Sequence, residues 1–305
     1  MLTRRRFLAG LPALGLAPRM ARGAPAADGA APTLQARRIS ASGQSVPVIG
    51  MGTADSFNVG ASYAERAPLR EVMRRFFAGG ATLIDTAPSY GQSETVVGDL
   101  LAELGLRPRA FLCTKIGASG RDAGLAQFQQ SLRRLKTDRI ELLQVHNLID
   151  WRTQIALINE LKAQGRVRYS GLTHYTEGGQ DELADAVRAA RPDFLQINYS
   201  VISTAAEKRL FPMAQELGVA VLVNRAFDDG RLFRRVAGKP LPGWAAEAGI
   251  TSWAQAFLRF ALSHPAVTAV IPATSRPDRQ SDNLLAGTGP ALTAQQRQSL
   301  QALAG

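Results

Sequence analysis

The chain has 305 residues, of which 46% are hydrophobic and 20% charged, so it can bury a large core within one domain of α/β-barrel size. Its formal net charge of +11 includes five arginines and no acid within residues 1–23, and a chain starting at Ala24 would carry +6. The remaining basic residues are interspersed with acids, which argues against a nucleic-acid-binding patch. The single cysteine, Cys113, excludes an intrachain disulfide, and its apolar surroundings predict a buried side chain.

The first 33 residues have the layout of an export signal. A cluster of arginines is followed by an apolar run over 7–17, which is too short to span a bilayer, and then by a segment rich in Ala, Gly and Pro. Residues 3–8, TRRRFL, resemble the twin-arginine export motif. We therefore predict a signal peptide and flexible connector over 1–33, the twin-arginine export machinery as a partner, and a periplasmic or exported location. The alternative is a disordered basic tail.

From residue 34 to 305, apolar runs of strand length alternate with amphipathic runs of helix length. The predicted strands are 46–52, 82–85, 110–115, 140–146, 167–173, 194–198, 219–224 and 267–273. The predicted helices are 64–78, 93–104, 125–136, 153–164, 179–190, 205–217, 251–263 and 276–285, with a last helix over 293–303. The strand runs are almost continuously hydrophobic, as in strands that are buried on both faces. Eight repeated β-then-α units predict an α/β fold, a (β/α)8 TIM barrel.

Polar residues recur where these strands end. Asp85, Lys115 and His146 are 30 and 31 residues apart, and the series continues at intervals of 27, 23 and 28 residues. The three further members of the series are Thr173, Gln196 and Asn224. One polar residue for each unit places all six on the rim formed by the C-terminal ends of the strands, where such barrels assemble their chemistry. The irregular segment 225–246 is predicted to be a loop over this site.

Three of the rim residues form a possible proton-transfer set with Tyr90, which follows Asp85 by five residues. A phenol with an unperturbed pKa of about 10 needs help to exchange a proton near neutrality, and a nearby lysine cation supplies it by favouring the phenolate. An acid paired with that lysine keeps the cation charged and fixed. Asp85, Tyr90, Lys115 and His146 supply these parts, and His146 is placed to donate a hydrogen bond to a carbonyl oxygen.

The order DTAPSYG, then Lys115 at the next strand end, then LLQVHN at the one after, resembles the aldo-keto reductases. The resemblance implies the reduction of an aldehyde or ketone by hydride transfer from a nicotinamide cofactor bound across the rim. Tyr90 would be the general acid, Lys115 would tune it through Asp85, and His146 would orient the carbonyl. No GxGxxG fingerprint follows a strand, so the cofactor is implied by the resemblance alone.

The same resemblance implies a set of cofactor-binding positions. They are Thr173, His174, Gln196, Asn224, Arg225, Thr274, Arg279, Asp282 and Asn283. Asn224 stands where an aromatic ring commonly stacks on the nicotinamide, and His174 either contacts the cofactor or shapes its own loop. Ala273 replaces a lysine often found there, so a preference for NADPH depends on Arg279, with Arg276 as a possible second cation, and the use of NADH stays open.

Three aromatic residues on predicted rim loops, Phe57, Trp151 and Trp244, are expected to line a substrate pocket, with lid packing as the alternative. No metal site is predicted, because the three histidines are far apart and lack cysteine pairs. A second functional hypothesis is a nicotinamide-binding redox sensor or interaction subunit with little turnover. A third, a barrel of different chemistry such as an isomerase, would leave Lys115 and His146 unexplained.

Overall fold

A computed structural model of the protein describes residues 33–304. The chain starts with an antiparallel hairpin of β1 (Ala36–Arg38) and β2 (Ser45–Pro47). Eight further strands pair in parallel in chain order. They are β3 (Met51–Gly52), β4 (Leu83–Asp85), β5 (Phe111–Ile116), β6 (Ile140–Val145), β7 (Val167–Thr173), β8 (Phe194–Asn198), β9 (Ala220–Asn224) and β10 (Val267–Val270). Parallel bridges from Ile49 to Val270 and from Gly52 to Ala273 join the last strand to the first, so the sheet closes into the predicted barrel.

Helices follow the strands and form the outer layer. They are α1 (Tyr63–Ala78), α2 (Ser93–Glu103), α3 (Arg121–Arg134), α4 (Trp151–Ala163), α5 (Gln180–Ala190), α6 (Leu210–Leu217), α7 (Arg231–Arg235), α8 (Trp253–Leu262), α9 (Pro277–Leu285) and α10 (Ala294–Ala304). The start of α1 shows how the sequence fixes such boundaries. The Ser62 hydroxyl accepts from the Glu65 backbone N–H and donates to the Glu65 carboxylate, which satisfies groups that a helix end leaves free.

The core has two layers. The larger one lies between the strands and the surrounding helices, and the smaller one fills the barrel with side chains such as Leu83, Phe111 and Phe194. Ile39 and Val46 of the hairpin join the inner layer, and the Tyr169 hydroxyl donates to Gln44 Oε1 at 2.9 Å. Because Tyr169 is near the start of β7, the hairpin covers the N-terminal end of the barrel. The C-terminal rim is left for chemistry.

Several predicted boundaries shift in the structure. The first predicted strand divides between β2 and β3, and β6 ends one residue before His146, which begins a 3-10 turn. Asn147, Leu148 and Asp150 follow with positive φ angles, so the chain turns sharply there and cannot extend the strand. The predicted loop over 225–246 contains the short helix α7 and a 3-10 turn over Gly243–Ala245. The predicted leader over 1–33 lies outside the described residues except for its last residue.

Within residues 33–304, no helix combines the length and apolarity that crossing a bilayer would require. In the same part of the chain, no cluster of His, Cys, Asp and Glu side chains forms a potential metal site.

Candidate active site

The centre of the rim is a buried ion pair between neighbouring strands. Lys115 near the end of β5 donates from Nζ to Asp85 Oδ2 at the end of β4, over 2.7 Å, and to the Thr86 carbonyl over 2.9 Å. The side chains are 0% and 4% exposed. Burial would lower the pKa of Lys115, but the Asp85 carboxylate outweighs it, and the pKa is raised above the usual value. At neutral pH Lys115 is therefore a cation whose charge depends on the ionised Asp85 carboxylate.

The phenol predicted to exchange a proton lies directly beside this cation. The Lys115 Nζ atom is 5.0 Å from the centroid of the Tyr90 ring. Gly91, with φ +58°, turns the chain immediately after Tyr90, and a Cβ atom there would meet Asn58 Oδ1 at 2.2 Å. That same oxygen accepts the Gln92 backbone N–H at 2.9 Å. The YG pair of the motif is thus a turn that admits only glycine at its second position and aims Tyr90 into the rim.

His146 faces Tyr90 across the site, with ring centroids 6.0 Å apart and an interplanar angle of 84°. Its Nδ1 lies 3.5 Å from Ser89 Oγ. Burial, together with the nearby Lys115 cation, lowers the pKa of His146 to about 4. The ring is therefore neutral near pH 7 and can donate one N–H without carrying a charge.

The second oxygen of Asp85 is held by two amides. Gln196 Nε2 donates to Oδ1 over 2.9 Å, and Gln144 Nε2 donates to the same oxygen over 3.2 Å. Gln144 was not among the residues predicted for the site, although a glutamine in the buried strand LLQVH, two residues before His146, was a visible signal. The Gln196 Oε1 atom accepts from Thr173 and Asn224, so both ends of the Gln196 amide are engaged within the protein.

A cavity of about 550 Å³ opens above these groups. Its lining brings together most of the rim residues predicted from the sequence. They are Asp85, Tyr90, His146, Thr173, Gln196, Asn224 and Arg225. Lys115 is fully buried beneath them and reaches the cavity only through its neighbours. The other lining residues include Asp55, Ser89, Asn147 and Tyr175.

Two residues at the ends of β7 and β9 have unexpected roles. The His174 ring turns into its own loop, where Nδ1 accepts the Thr176 backbone N–H at 3.3 Å and the ring packs on Gly179. The side chain of His174 therefore shapes its own loop, which is the alternative to a contact with the cofactor. Asn224 Nδ2 donates to the His174 carbonyl over 3.2 Å, and Asn224 Oδ1 is buried without a partner among residues 33–304.

A second cavity of about 610 Å³ shares Phe227, Gly230 and Ala273 with the first. It contains the four predicted positions at the far end of the rim, Thr274, Arg279, Asp282 and Asn283. Asp282 accepts from Ser252 Oγ and Gln255 Nε2, each over 2.6 Å, so it ties α9 to α8.

The cations near the start of α9 differ in their partners. Arg276 is paired with Asp278 at 2.7 Å, whereas no carboxylate within residues 33–304 forms an ion pair with the exposed Arg279. Arg279 lies in the first turn of α9, where a helix N-terminus also favours an anion. Of these two arginines, Arg279 is therefore the one whose guanidinium can bind a phosphate without first breaking an ion pair.

The three aromatic residues predicted for the substrate pocket lie elsewhere. Phe57 is 0% exposed within the core, Trp151 packs against that core, and Trp244 donates to Ser299 Oγ over 3.2 Å. None of them lines either cavity in the described part of the chain. We therefore correct this prediction: the core encloses Phe57 fully, and Trp151 and Trp244 are partly buried against the core outside both cavities. Tyr175 lines the first cavity instead, with the Arg225 guanidinium 4.6 Å above its ring.

The residues present fit an extended dinucleotide. Two adjoining cavities provide the length, the orphaned Asn224 Oδ1 at one end can accept from a carboxamide, and Arg279 at the other end can pair with a phosphate. Bound between them, a reduced nicotinamide would supply the hydride for a carbonyl next to Tyr90 and His146.

Comparisons with known proteins agree with this geometry. Residues 48–304 match the model of the Aldo/keto reductase family. The methylglyoxal reductase YeaE of Escherichia coli is 30% identical over 246 residues, which are 78% of this chain and 84% of YeaE.

Two solved structures superpose over most of the barrel. The holo form of a Bacillus halodurans aldo-keto reductase has a TM-score of 0.71 at 26% identity, covering 89% of this chain and 97% of its own. A Klebsiella pneumoniae aldo-keto reductase in complex with NADPH has a TM-score of 0.72 at 25% identity, and the superposition covers 86% of this chain and 92% of the Klebsiella chain. The chain therefore belongs to the aldo-keto reductase family, as an enzyme that reduces carbonyl compounds with NAD(P)H.

Proposed function

We propose that the protein reduces small, polar, uncharged aldehydes or ketones with NADPH, and that Tyr90 is the general acid. The observation that carries this proposal is the meeting of Tyr90, His146 and the Lys115–Asp85 pair at one cavity. As hydride adds to the carbonyl carbon, the Tyr90 hydroxyl gives its proton to the carbonyl oxygen, which yields an alcohol and a phenolate.

The other two partners support this proton transfer. The Lys115 cation beside the ring stabilises the negative charge that remains on Tyr90. Neutral His146 donates a hydrogen bond to the carbonyl oxygen and so orients it towards Tyr90. Because both groups are held in place before the substrate arrives, little reorganisation accompanies the reaction.

The substrate class follows from the side chains at the mouth of the first cavity. Ser89 and Asn147 offer hydrogen-bonding groups, and the exposed Asp55 carboxylate disfavours a negatively charged substrate. The relative YeaE is a methylglyoxal reductase, and methylglyoxal is a small, uncharged dicarbonyl compound. Methylglyoxal and short hydroxyaldehydes are accordingly the first candidates.

The test is steady-state oxidation of NADPH with four kinds of carbonyl compound. Methylglyoxal and a short hydroxyaldehyde are expected to give a higher kcat/KM than an aromatic aldehyde or a 2-oxo acid. A preference for the 2-oxo acid would contradict the proposed substrate class. Cofactor binding without turnover of any compound would favour the alternative of a redox sensor.

The preference for NADPH is proposed to depend on Arg279. Replacing Arg279 with alanine is expected to weaken NADPH binding by on the order of tenfold to a hundredfold, because a charge-assisted contact with the 2′-phosphate is lost. NADH lacks that phosphate, so its affinity should change little. Fluorescence titration with both cofactors measures the effect.

Arg276→Ala is the matched control, since Asp278 already holds that guanidinium. The control should affect NADPH binding less than Arg279→Ala does. Equal losses of NADPH and NADH affinity in Arg279→Ala would show that Arg279 does not bind the 2′-phosphate.

We further propose that the protein is exported by the twin-arginine route to the periplasm or beyond. The support is the sequence of residues 1–33, in which arginines precede a short apolar run. Such export would carry a folded barrel that has already bound its cofactor.

A reporter fused to residues 1–33 tests export. The fusion should leave the cytoplasm, and replacing Arg4 and Arg5 with lysine should retain it inside, although the charge is unchanged. Arg19→Lys with Arg22→Lys is the matched control outside the motif and should be exported normally. Undiminished export of the Arg4 and Arg5 variant would contradict the proposal.

A further inference from the structure

Gln144 is a fully buried amide that no step of the reaction uses directly. It lies on β6, and within residues 33–304 it is not part of the lining of either cavity, so it does not meet a ligand. Its Nε2 donates to Asp85 Oδ1 over 3.2 Å, and its Oε1 accepts from Gln196 Nε2 over 3.4 Å. Gln144 is the register partner of Lys115 on the neighbouring strand, and it contacts the oxygen of Asp85 that Lys115 does not.

A buried ion pair has an alternative state in which the lysine gives its proton to the carboxylate and both groups become neutral. Burial favours that state, because both charges have left water. Hydrogen bonds donated to the carboxylate oppose it, since they favour the charged form. Among residues 33–304, Oδ2 of Asp85 accepts from Lys115, and Oδ1 accepts from the two amides alone. Gln144 is thus one of the two amides that donate to Oδ1 and so favour the ionised form of the Asp85 carboxylate.

The barrel makes room for this side chain. A Cβ atom on Gly171 of the neighbouring strand β7 would lie 2.7 Å from Gln144 Cγ. Any larger residue at position 171 would force the Gln144 side chain to shift and would disturb its contact with Asp85. The glycine and the glutamine therefore form one packing unit.

We propose that Gln144 is a positioning residue that keeps Asp85 ionised and thereby holds the positive charge of Lys115 beside Tyr90. This inference rests on the proposed function, in which that charge stabilises the Tyr90 phenolate. Gln144 acts through Asp85 and Lys115 and touches no reacting atom.

The other ionisable groups around the pair do not substitute for Gln144. Tyr90 and His146 face it from the cavity side, and the Cys113 thiol on β5 is kept neutral because burial raises its pKa. Glu141 on β6 is occupied by Arg107 and by the Leu112 backbone N–H. Within residues 33–304, the charge state of the pair therefore depends on Asp85, Lys115, the Thr86 carbonyl and the two amides.

The experiment replaces Gln144 with methionine, which has a similar shape and no donor. The kcat of reduction is expected to fall by on the order of tenfold, because a weaker cation beside Tyr90 stabilises the developing phenolate less. The alkaline pH at which kcat declines should move upward, because a weaker cation lets Tyr90 keep its proton to higher pH. A structural defect alone would lower kcat without moving that decline.

Ultraviolet titration of the apoprotein gives a readout that needs no turnover. The phenolate signal of Tyr90, obtained by subtracting the Tyr90→Phe form in each background, should appear at higher pH in Gln144→Met than in the wild type. This separates the two proposals: a wild type without reductase activity would overturn the proposed function, whereas an unmoved phenolate signal would overturn the role of Gln144.

Two further variants complete the design. Gln154→Met removes another buried amide, which donates to the Gly120 carbonyl over 3.0 Å away from the tetrad, and it should leave both pH curves unmoved. If Gln144→Met does not fold, Gly171→Ala displaces the amide without removing it and should move both curves upward by a smaller amount. Unmoved curves in Gly171→Ala would overturn the proposal in that case.

Discussion

Tyr90→Phe is expected to lower kcat for carbonyl reduction by on the order of a hundredfold to ten-thousandfold, the range typical of a lost general acid. The substitution removes one hydroxyl and keeps the ring beside Lys115, so the shape of the cavity is preserved. NADPH affinity should therefore stay close to that of the wild type. Steady-state kinetics together with a fluorescence titration of the cofactor separate these two quantities.

A matched control for this variant is Tyr169→Phe. Tyr169 is a buried phenol at the other end of the barrel, where it contacts Ser42 and Gln44. Its loss should affect stability and leave kcat nearly unchanged. Equal kcat values for the wild type and Tyr90→Phe would remove Tyr90 from the role of general acid.

Asp85→Asn is expected to lower the free energy of unfolding by about 3–5 kcal/mol, because it leaves the Lys115 ammonium buried without its carboxylate. Reductase activity should be lost as well, since the cation is no longer fixed beside Tyr90. Denaturant unfolding measures the stability. The exposed pair Arg75–Glu71 is the control, and Glu71→Gln should cost less than about 1 kcal/mol.

The loss of stability in Asp85→Asn should depend on pH in a defined direction. In the wild type the pKa of Lys115 is raised, so its contribution is fully present below the unfolded value of about 10.4 and is lost only above it. Without Asp85, burial alone lowers the pKa of Lys115, and the unfolded chain binds more protons than the folded one. The variant should therefore gain stability relative to the wild type as pH rises from neutral towards about 10. A constant difference would contradict this account.

The barrel and its catalytic rim were predictable because both follow from regular spacing. Each βα unit has a similar length, so Asp85, Lys115 and His146 recur at nearly equal intervals and must meet at one rim. The predicted strand 140–146 ends one residue early in the structure, at Val145. Asn147 and Leu148 adopt positive φ angles there, and the apolar periodicity of the sequence does not encode such angles.

Side chains that point away from a loop were harder to predict. Phe57 and Trp244 occur in rim loops, but whether such a ring faces the cavity or the core depends on contacts that are distant in sequence, such as the one between Trp244 and Ser299. Gln144 was missed for the opposite reason. It lies within a largely apolar strand, and its role follows only from the position of Asp85 on another strand.

The central claim is that this protein transfers hydride from a reduced nicotinamide to a carbonyl carbon while Tyr90 supplies the proton. The most direct measurement is mass spectrometry of the alcohol formed from methylglyoxal with NADPH in which deuterium replaces both hydrogens at the reacting carbon. The account predicts deuterium on the former carbonyl carbon with the wild type, and on the order of a hundredfold less product with Tyr90→Phe in the same time. An alcohol without deuterium, or equal amounts of product from both proteins, would contradict it.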